Sequence, residues 1–209
     1  MQLQTQVQHS IGLNFAEGVK TLLRQDPDVI MVGEIRDRDT ANIATQAALT
    51  GHLVLSTLHT NDAPSAITRL LDLGVPAYLI DSTIIGILAQ RLVRTLCPHC
   101  KVPGKIDSDK WQILTSPFKV AQPDTAFQPI GCDECRGTGY LGRVGLYEMF
   151  DLNHDIRRQI KPGLDINVLR RMAILNGLIP LRVCGARVVA LGQTTIDEVL
   201  RRVPIDKED

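Results

Sequence analysis

The fold of this chain is decided by two short apolar runs, DVIMVGE at residues 28–34 and HLVLSTLH at residues 52–59. Each run is too short for a helix and is rich in Val, Leu and Ile, so each predicts a strand that is buried on both faces. Stretches with helical spacing lie before, between and after the two runs. The alternation of helix and strand with short connections is typical of a parallel α/β sheet.

Three helices are expected around these strands. One covers residues 15–24, one follows a cap at Asp39 or Thr40, and one runs from about residue 62 to 74. A further helix is expected from residue 76 to about 96, since apolar side chains recur there at helical spacing. Shorter helices are expected over four later segments, namely 154–161, 165–176, 181–191 and 195–202.

Composition and charge exclude several classes of protein. The 209 residues carry 23 basic and 23 acidic side chains, a balance that argues against nucleic acid as the main partner. No segment has the eighteen or so apolar residues of a membrane span, and the first residues do not form a secretory signal. The chain is therefore expected to be cytoplasmic, where its five cysteines are not expected to form disulfides.

Two C-x2-C pairs interrupt the α/β pattern, CPHC at residues 97–100 and CDEC at residues 132–135. Two such pairs can complete a tetrahedral shell of four thiolates, which favours zinc, so Cys97, Cys100, Cys132 and Cys135 are expected to hold a structural Zn2+. The alternative is that the cysteines merely lie near one another. Residues 97–135 are thus interpreted as an inserted module, preceded by an α/β part (1–96) and followed by a mainly helical part (136–209).

Two polar side chains end the predicted strands, Glu34 after the first and His59 after the second. Ligands gather beyond the carboxyl ends of parallel strands, where a carboxylate can hold Mg2+ and a histidine can contact a terminal phosphate. A surface cluster of ion pairs with Arg36 and Asp37 is the competing interpretation. His52 lies at the other end of its strand, where geometry favours a structural role.

The motifs resemble those of the ATPases that drive type II secretion and type IV pilus assembly. The resemblance is carried, in the family's order, by RQDPDVIMVGEIRD (24–37), TGH (50–52), STLHTND (56–62), AQRLVR (89–94), the two cysteine pairs, GTGYLGRVGLYE (137–148) and GQTTIDEVL (192–200). The first of these looks like the family's Walker B segment, and the second and third look like its histidine box. The cysteine module points to the assembly and export branch.

The resemblance implies part of a RecA-like P-loop NTPase core, with ATP and Mg2+ as ligands. It identifies Glu34, His59 and His52 as catalytic candidates, and it assigns the binding of Mg-ATP to Glu34, Arg36, Asp37 and Thr57. It also implies a homohexamer at the cytoplasmic face of the inner membrane, in contact with platform and anchoring proteins.

The phosphate-binding loop of the family, G-x4-G-K-[ST], does not occur in this sequence, since Gly104-Lys105 is followed by Ile106. The chain is therefore expected to be the C-terminal half of the motor domain, with residues 1–96 as the end of its core, and to be inactive by itself. The alternative function is a non-enzymatic zinc scaffold that binds the same secretion platform.

Overall fold

The computed structural model describes residues 4–8, 10 and 12–203. The elements, in chain order, are α1 (Phe15–Leu22), β1 (Val29–Val32), α2 (Arg38–Leu49), β2 (Leu53–Ser56), α3 (Ser65–Asp72), α4 (Ala77–Thr83), β3 (Gly86–Leu96), β4 (Val102–Gly104), α5 (Ser108–Thr115), β5 (Ala126–Gln128), β6 (Tyr140–Asp151), α6 (His154–Arg157), α7 (Ile166–Leu175), α8 (Leu181–Ala190) and α9 (Ile196–Arg202). They form two compact units, the first of residues up to 87 with 150–176, and the second of residues 88–149 with those from 177 onward. The predicted boundaries at residues 96 and 135 stay a prediction.

The first unit contains a parallel pair of strands, as the sequence predicts. Strands β1 and β2 pair in the register that sets Val29 opposite Leu53 and Val32 opposite Ser56. One face of β1 packs on the helices, with Ile30 and Val32 in a cluster beside Val19 of α1. An α/β arrangement is therefore present around both apolar runs.

The prediction that both faces of these strands are buried was wrong. Met31 is 77% exposed and Leu55 is 48% exposed. Side chains of a strand alternate between two faces, and within residues 12–203 the helices α1 and α2 cover only one face of this pair. The other face therefore presents large apolar side chains to solvent.

Helix α2 begins earlier than the sequence predicts. Its N-cap is Asp37, whose Oδ1 accepts a hydrogen bond of 2.8 Å from the backbone N–H of Thr40. Asp39 and Thr40 lie inside the first turn and do not cap it. Asp37 is the better cap because its extended backbone points the carboxylate back at the free N–H groups of that turn.

The single helix predicted for residues 76–96 was also wrong. Helix α4 ends at Thr83, and the chain continues as strand β3, which is hydrogen-bonded to β6. The apolar residues of this stretch suit a helical stripe as well as an alternating strand, and the pairing with β6, which lies far along the chain, decides between them. Long-range pairing of this kind leaves no local mark in the sequence.

The second unit is built around an aliphatic core that includes Trp111. The buried members of this core are Val93, Trp111, Leu114, Leu146, Leu181, Ala186, Val188, Val189, Ile196, Val199 and Val203. Helices α8 and α9 supply six of them, α5, β3 and β6 supply four, and Val203 directly follows α9. The later helices predicted from sequence are confirmed, although α6 is shorter than expected.

Arg94 of β3 binds two partners within this unit, although its side chain stays 35% exposed. Its Nη2 lies 2.8 Å from Oε2 of Glu198, and its guanidinium stacks 3.9 Å from the centre of the Tyr140 ring.

The helices within the described part of the chain include none with the length and apolar character of a membrane span.

Candidate functional site

The carboxyl ends of β1 and β2 bring Glu34 and His59 together. The strands stay in register beyond their last paired residues, because the N–H of Ile35 donates to the carbonyl of Thr57 over 2.9 Å. Oε2 of Glu34 lies 3.2 Å from Nε2 of His59, within hydrogen-bond distance. Two side chains 25 residues apart in sequence therefore share one edge of the parallel pair.

Glu34 is the most enclosed member of this cluster. Its side chain is 21% exposed, against 82% for His59 and 70% for Arg36, whose Nε lies 2.5 Å from the same carboxylate oxygen. The hydrogen bond from Arg36 lowers the pKa of Glu34 most strongly, burial opposes this shift, and His59 lowers the pKa further. The group is therefore a carboxylate at neutral pH, as a ligand of Mg2+ or of its water must be.

The remaining predicted binding residues hold the backbone around this edge. The hydroxyl of Thr57 donates to the carbonyl of Gly33 over 2.7 Å, which joins the two strand ends. Both carboxylate oxygens of Asp37 accept hydrogen bonds from Thr40, one from its N–H and one from its hydroxyl. In this conformation Thr57 and Asp37 shape the loops that carry Glu34 and His59.

His52 does not join this cluster. It precedes β2, at the opposite end of the strand from Thr57, and its Nδ1 lies 2.9 Å from the carbonyl oxygen of Ala47 at the end of α2. Thr50 contacts the same nitrogen at 3.1 Å. His52 thus stabilises the connection between α2 and β2, as its position at the start of the second apolar run suggests.

Sequence reasoning missed the anchor of the loop that follows His59. Oδ1 of Asp62 accepts a hydrogen bond of 2.8 Å from the N–H of Ser65, the first residue of α3, and its other oxygen lies 2.7 Å from Nε of Arg170 in α7. Both charged side chains are largely buried, at 19% and 22% exposed. The partners are 108 residues apart, so only the folded chain shows that α7 helps to hold the histidine loop.

The second candidate site is the cysteine cluster of the second unit. One ligand atom from each of Cys97, Cys100, Cys132 and Cys135 lies within 4.8 Å of all the others. The sulfurs of Cys97 and Cys132 are 3.9 Å apart, and those of Cys100 and Cys135 are 3.8 Å apart. Thiolates bound to one tetrahedral Zn2+ lie at such separations, since each Zn–S bond is about 2.3 Å long.

Backbone N–H groups point at two of these sulfurs. Sγ of Cys135 accepts from the N–H of Cys132 at 3.2 Å and from that of Gly139 at 3.1 Å, and Sγ of Cys100 accepts from Gly131 at 3.3 Å. Burial by itself raises the pKa of Cys135, but the two N–H groups, together with the thiols of Cys132 and Cys100, outweigh it and lower the pKa to about 6. At Cys100, burial and the neighbouring thiols outweigh the single N–H and raise the pKa to about 11.

The four cysteines fit a metal with soft-ligand chemistry. The donor set consists of thiols alone, and its hydrogen-bond donors favour the charged form of sulfur that binds a metal. Four protein ligands fill a tetrahedral shell and leave no position for substrate, so such an ion would stabilise the module rather than react.

Comparison with known sequences identifies close relatives. The family model described as "Type II/IV secretion system protein" matches residues 1–201. The chain is 56% identical over 202 residues to the type IV pilus assembly ATPase TfpB of Acinetobacter baylyi, with 97% of this chain and 34% of that protein covered. It is 49% identical over 198 residues to the type II secretion system protein E of Pseudomonas aeruginosa, with 95% and 39% covered.

Two solved structures share the fold of this chain. The pilus retraction motor PilT, solved with bound ADP, aligns with a TM-score of 0.64 and 27% identity over 94% of this chain and 45% of that one. The Legionella pneumophila ATPase DotB shares the fold, with a TM-score of 0.62 at 24% identity, over 93% and 44% of the two chains. The chain spans little more than a third of the length of the two sequence relatives above. With the family model matching nearly all of its length, the chain belongs to the type II/IV secretion system protein family.

Proposed function

We propose that this chain is the C-terminal part of a motor ATPase that couples ATP hydrolysis to the assembly of a pilus or pseudopilus. The observation that carries the proposal is the 3.2 Å approach of Glu34 and His59 at the carboxyl edge of β1 and β2. Ligands of open parallel sheets bind at this edge, which is where a carboxylate and a histidine can meet a phosphate and its metal ion. The identity of 56% to a type IV pilus assembly ATPase and of 49% to a type II secretion system protein supports the same conclusion.

Each side chain has a role that follows from its position. Glu34, held ionised by Arg36, would bind Mg2+ or a water of its shell, and the ion would neutralise phosphate charge. His59, which is largely exposed beside it, would contact the terminal phosphate. Thr57 and Asp37 would fix the two loops, while His52 would support the fold from the other end of β2.

The cysteine cluster would hold one structural Zn2+ in the second unit. Such an ion would join the first C-x2-C pair to the second and so fix the start of β6 relative to β3. We also propose that the chain works in a hexamer at the cytoplasmic side of the inner membrane, with platform and anchoring proteins as partners. The relatives that support this assignment are components of type II secretion and pilus assembly.

A chimera tests the catalytic proposal. Residues of the Acinetobacter baylyi ATPase that align with this chain would be replaced by it, and Mg2+-dependent ATP hydrolysis of the purified protein would be measured. The chimera is expected to hydrolyse ATP. Glu34→Gln and His59→Ala should each reduce the rate by about two orders of magnitude, the usual effect of losing one preorganised electrostatic contact.

Two substitutions serve as matched controls. Glu17→Gln removes a half-exposed carboxylate that pairs with the half-exposed Lys20, and His154→Gln removes an exposed histidine. Both should leave the rate unchanged. Equal rates for Glu34→Gln and the parent chimera would contradict the assignment.

A non-enzymatic scaffold is the second candidate, favoured by one observation. The sequence contains no G-x4-G-K-[ST] loop, and without its lysine and backbone N–H groups the phosphates lack most of their binding energy. A chimera that assembles but hydrolyses no ATP would support this candidate.

A further inference from the structure

Two glycines connect the two cysteine pairs through their own backbone N–H and carbonyl groups. Gly139 lies after the second pair, donates its N–H to Sγ of Cys135, and accepts a hydrogen bond of 3.0 Å from the N–H of Cys97 in the first pair. Gly131 precedes the second pair and donates its N–H to Sγ of Cys100 in the first. Each glycine therefore connects both halves of the cluster.

Gly139 occupies a place that a larger residue cannot fill. Its φ is +74°, in the left-handed region, and a Cβ there would lie 2.4 Å from Cβ of Pro129 and 2.9 Å from its Cα. An alanine would have to push the Pro129 backbone aside. The N–H would then turn away from Cys135, since its direction is set by the same peptide.

Gly131 is confined in the same way. Its φ is +106°, and a Cβ would meet the backbone of Gly137 at 2.6 Å from the carbonyl oxygen. The close approach of the Gly131 and Gly137 backbones holds the nitrogen of Gly131 at 3.3 Å from Sγ of Cys100. Both positions combine a backbone that favours glycine with direct contact to sulfur.

We propose that Gly131 and Gly139 are positioning residues of the metal site, which set its affinity through N–H···S hydrogen bonds. The inference rests on the metal binding proposed above. Four thiolates around a divalent cation carry a net charge of −2, and each N–H bond withdraws part of that charge from sulfur and so stabilises the charged shell. Outer-shell hydrogen bonds of this kind typically change metal affinity by about 10- to 100-fold.

Gly137 provides a matched control within the same segment. Its φ of +73° nearly equals that of Gly139, but a Cβ there would meet nothing within 4 Å. Its N–H donates to the carbonyl of Cys132 over 2.8 Å and not to a sulfur. An alanine at residue 137 therefore carries the same backbone strain without disturbing an N–H···S bond.

The test compares the zinc affinity of the full 209-residue protein with that of Gly131→Ala, Gly139→Ala and Gly137→Ala, by competition with a chromophoric chelator. The first two should bind Zn2+ about 10- to 100-fold more weakly, and the third should stay within about threefold of the parent protein. With Co2+ in the site, the sulfur-to-metal charge-transfer band should move to lower energy in the first two only. A role in folding alone would leave that band where it is.

A second measurement needs no substitution, so it also applies if a variant does not fold. In protein loaded with 113Cd, magnetisation should pass from the metal through sulfur to the amide protons of Gly131 and Gly139, but not to that of Gly137. Absence of these couplings, or equal affinity losses in all three alanine variants, would overturn the inference while leaving the metal site intact. A parent protein that binds no zinc would refute the metal proposal itself, and the inference with it.

Discussion

Glu198 offers the sharpest test of how the second unit is held together. Its side chain is fully buried. The carboxylate accepts hydrogen bonds from Arg94, one of 3.2 Å from the backbone N–H and one of 2.8 Å from Nη2 of the guanidinium. Arg201 and Arg202 of the same helix also contact it. The substitution Glu198→Gln keeps the shape of the side chain and removes its charge.

The magnitude follows from the pKa of Glu198. Burial by itself raises this pKa, but the hydrogen bonds from Arg94 and the charges of Arg94 and Arg201 lower it from 4.5 to about 2. Since a tenfold change in proton affinity is worth about 1.4 kcal/mol, the charged form stabilises the fold by roughly 3 kcal/mol. Arg201 and Arg202 are about half exposed and screened by water, so we expect a loss of about 2 kcal/mol.

The loss should depend on pH with a definite sign. Because the folded state lowers the pKa, the stabilisation is complete above pH 4.5 and disappears as the pH falls toward 2. The parent protein and Glu198→Gln should therefore differ most at neutral pH and converge in acid. For a chain of this size, about 2 kcal/mol corresponds to a decrease in Tm of about 4–8 °C.

The assay is urea unfolding followed by circular dichroism at pH 7 and pH 3, with chelator present so that metal release does not contribute. Asp197→Asn is the control, since this neighbouring carboxylate is 73% exposed and pairs with Lys110 at the surface. Its effect should stay below about 0.5 kcal/mol. The reasoning fails if Glu198→Gln unfolds with the stability of the parent at pH 7, or if the difference between them is the same at both pH values.

Three further predictions concern metal, association and activity. Metal removal or Cys132→Ser should lower the Tm of the zinc-loaded protein, as measured by calorimetry. Cys184→Ser should leave the zinc content at one ion per chain, as measured by elemental analysis. An unchanged Tm without metal would contradict a structural ion. The exposed apolar face of β1 and β2 should cause self-association. Met31→Lys should reduce this association in sedimentation experiments at unchanged helical content. A parent protein that stays monomeric at all concentrations would contradict the prediction. The isolated chain should hydrolyse no ATP, because it lacks the phosphate-binding loop, and steady Mg2+-dependent turnover would disprove this.

Much of the first unit could be predicted from local patterns. The two short apolar runs have no helical alternative of sufficient length, so β1 and β2 follow from the sequence, and their parallel pairing follows from the helix between them. That pairing also predicts that Glu34 and His59 meet. The exposure of Met31 could not be predicted, since it depends on which elements cover each face of the sheet.

The sequence by itself determined the two strands, the four cysteines as one cluster and the family resemblance, because spacing along the chain specifies each of them. Only the tertiary structure decided that residues 86–96 form a strand, that Arg94 binds Glu198, that Arg170 anchors the histidine loop, and that two glycine N–H groups point at sulfur. All four depend on partners that are distant in sequence or on backbone directions. Such contacts form only when the whole chain has folded, so no local pattern records them.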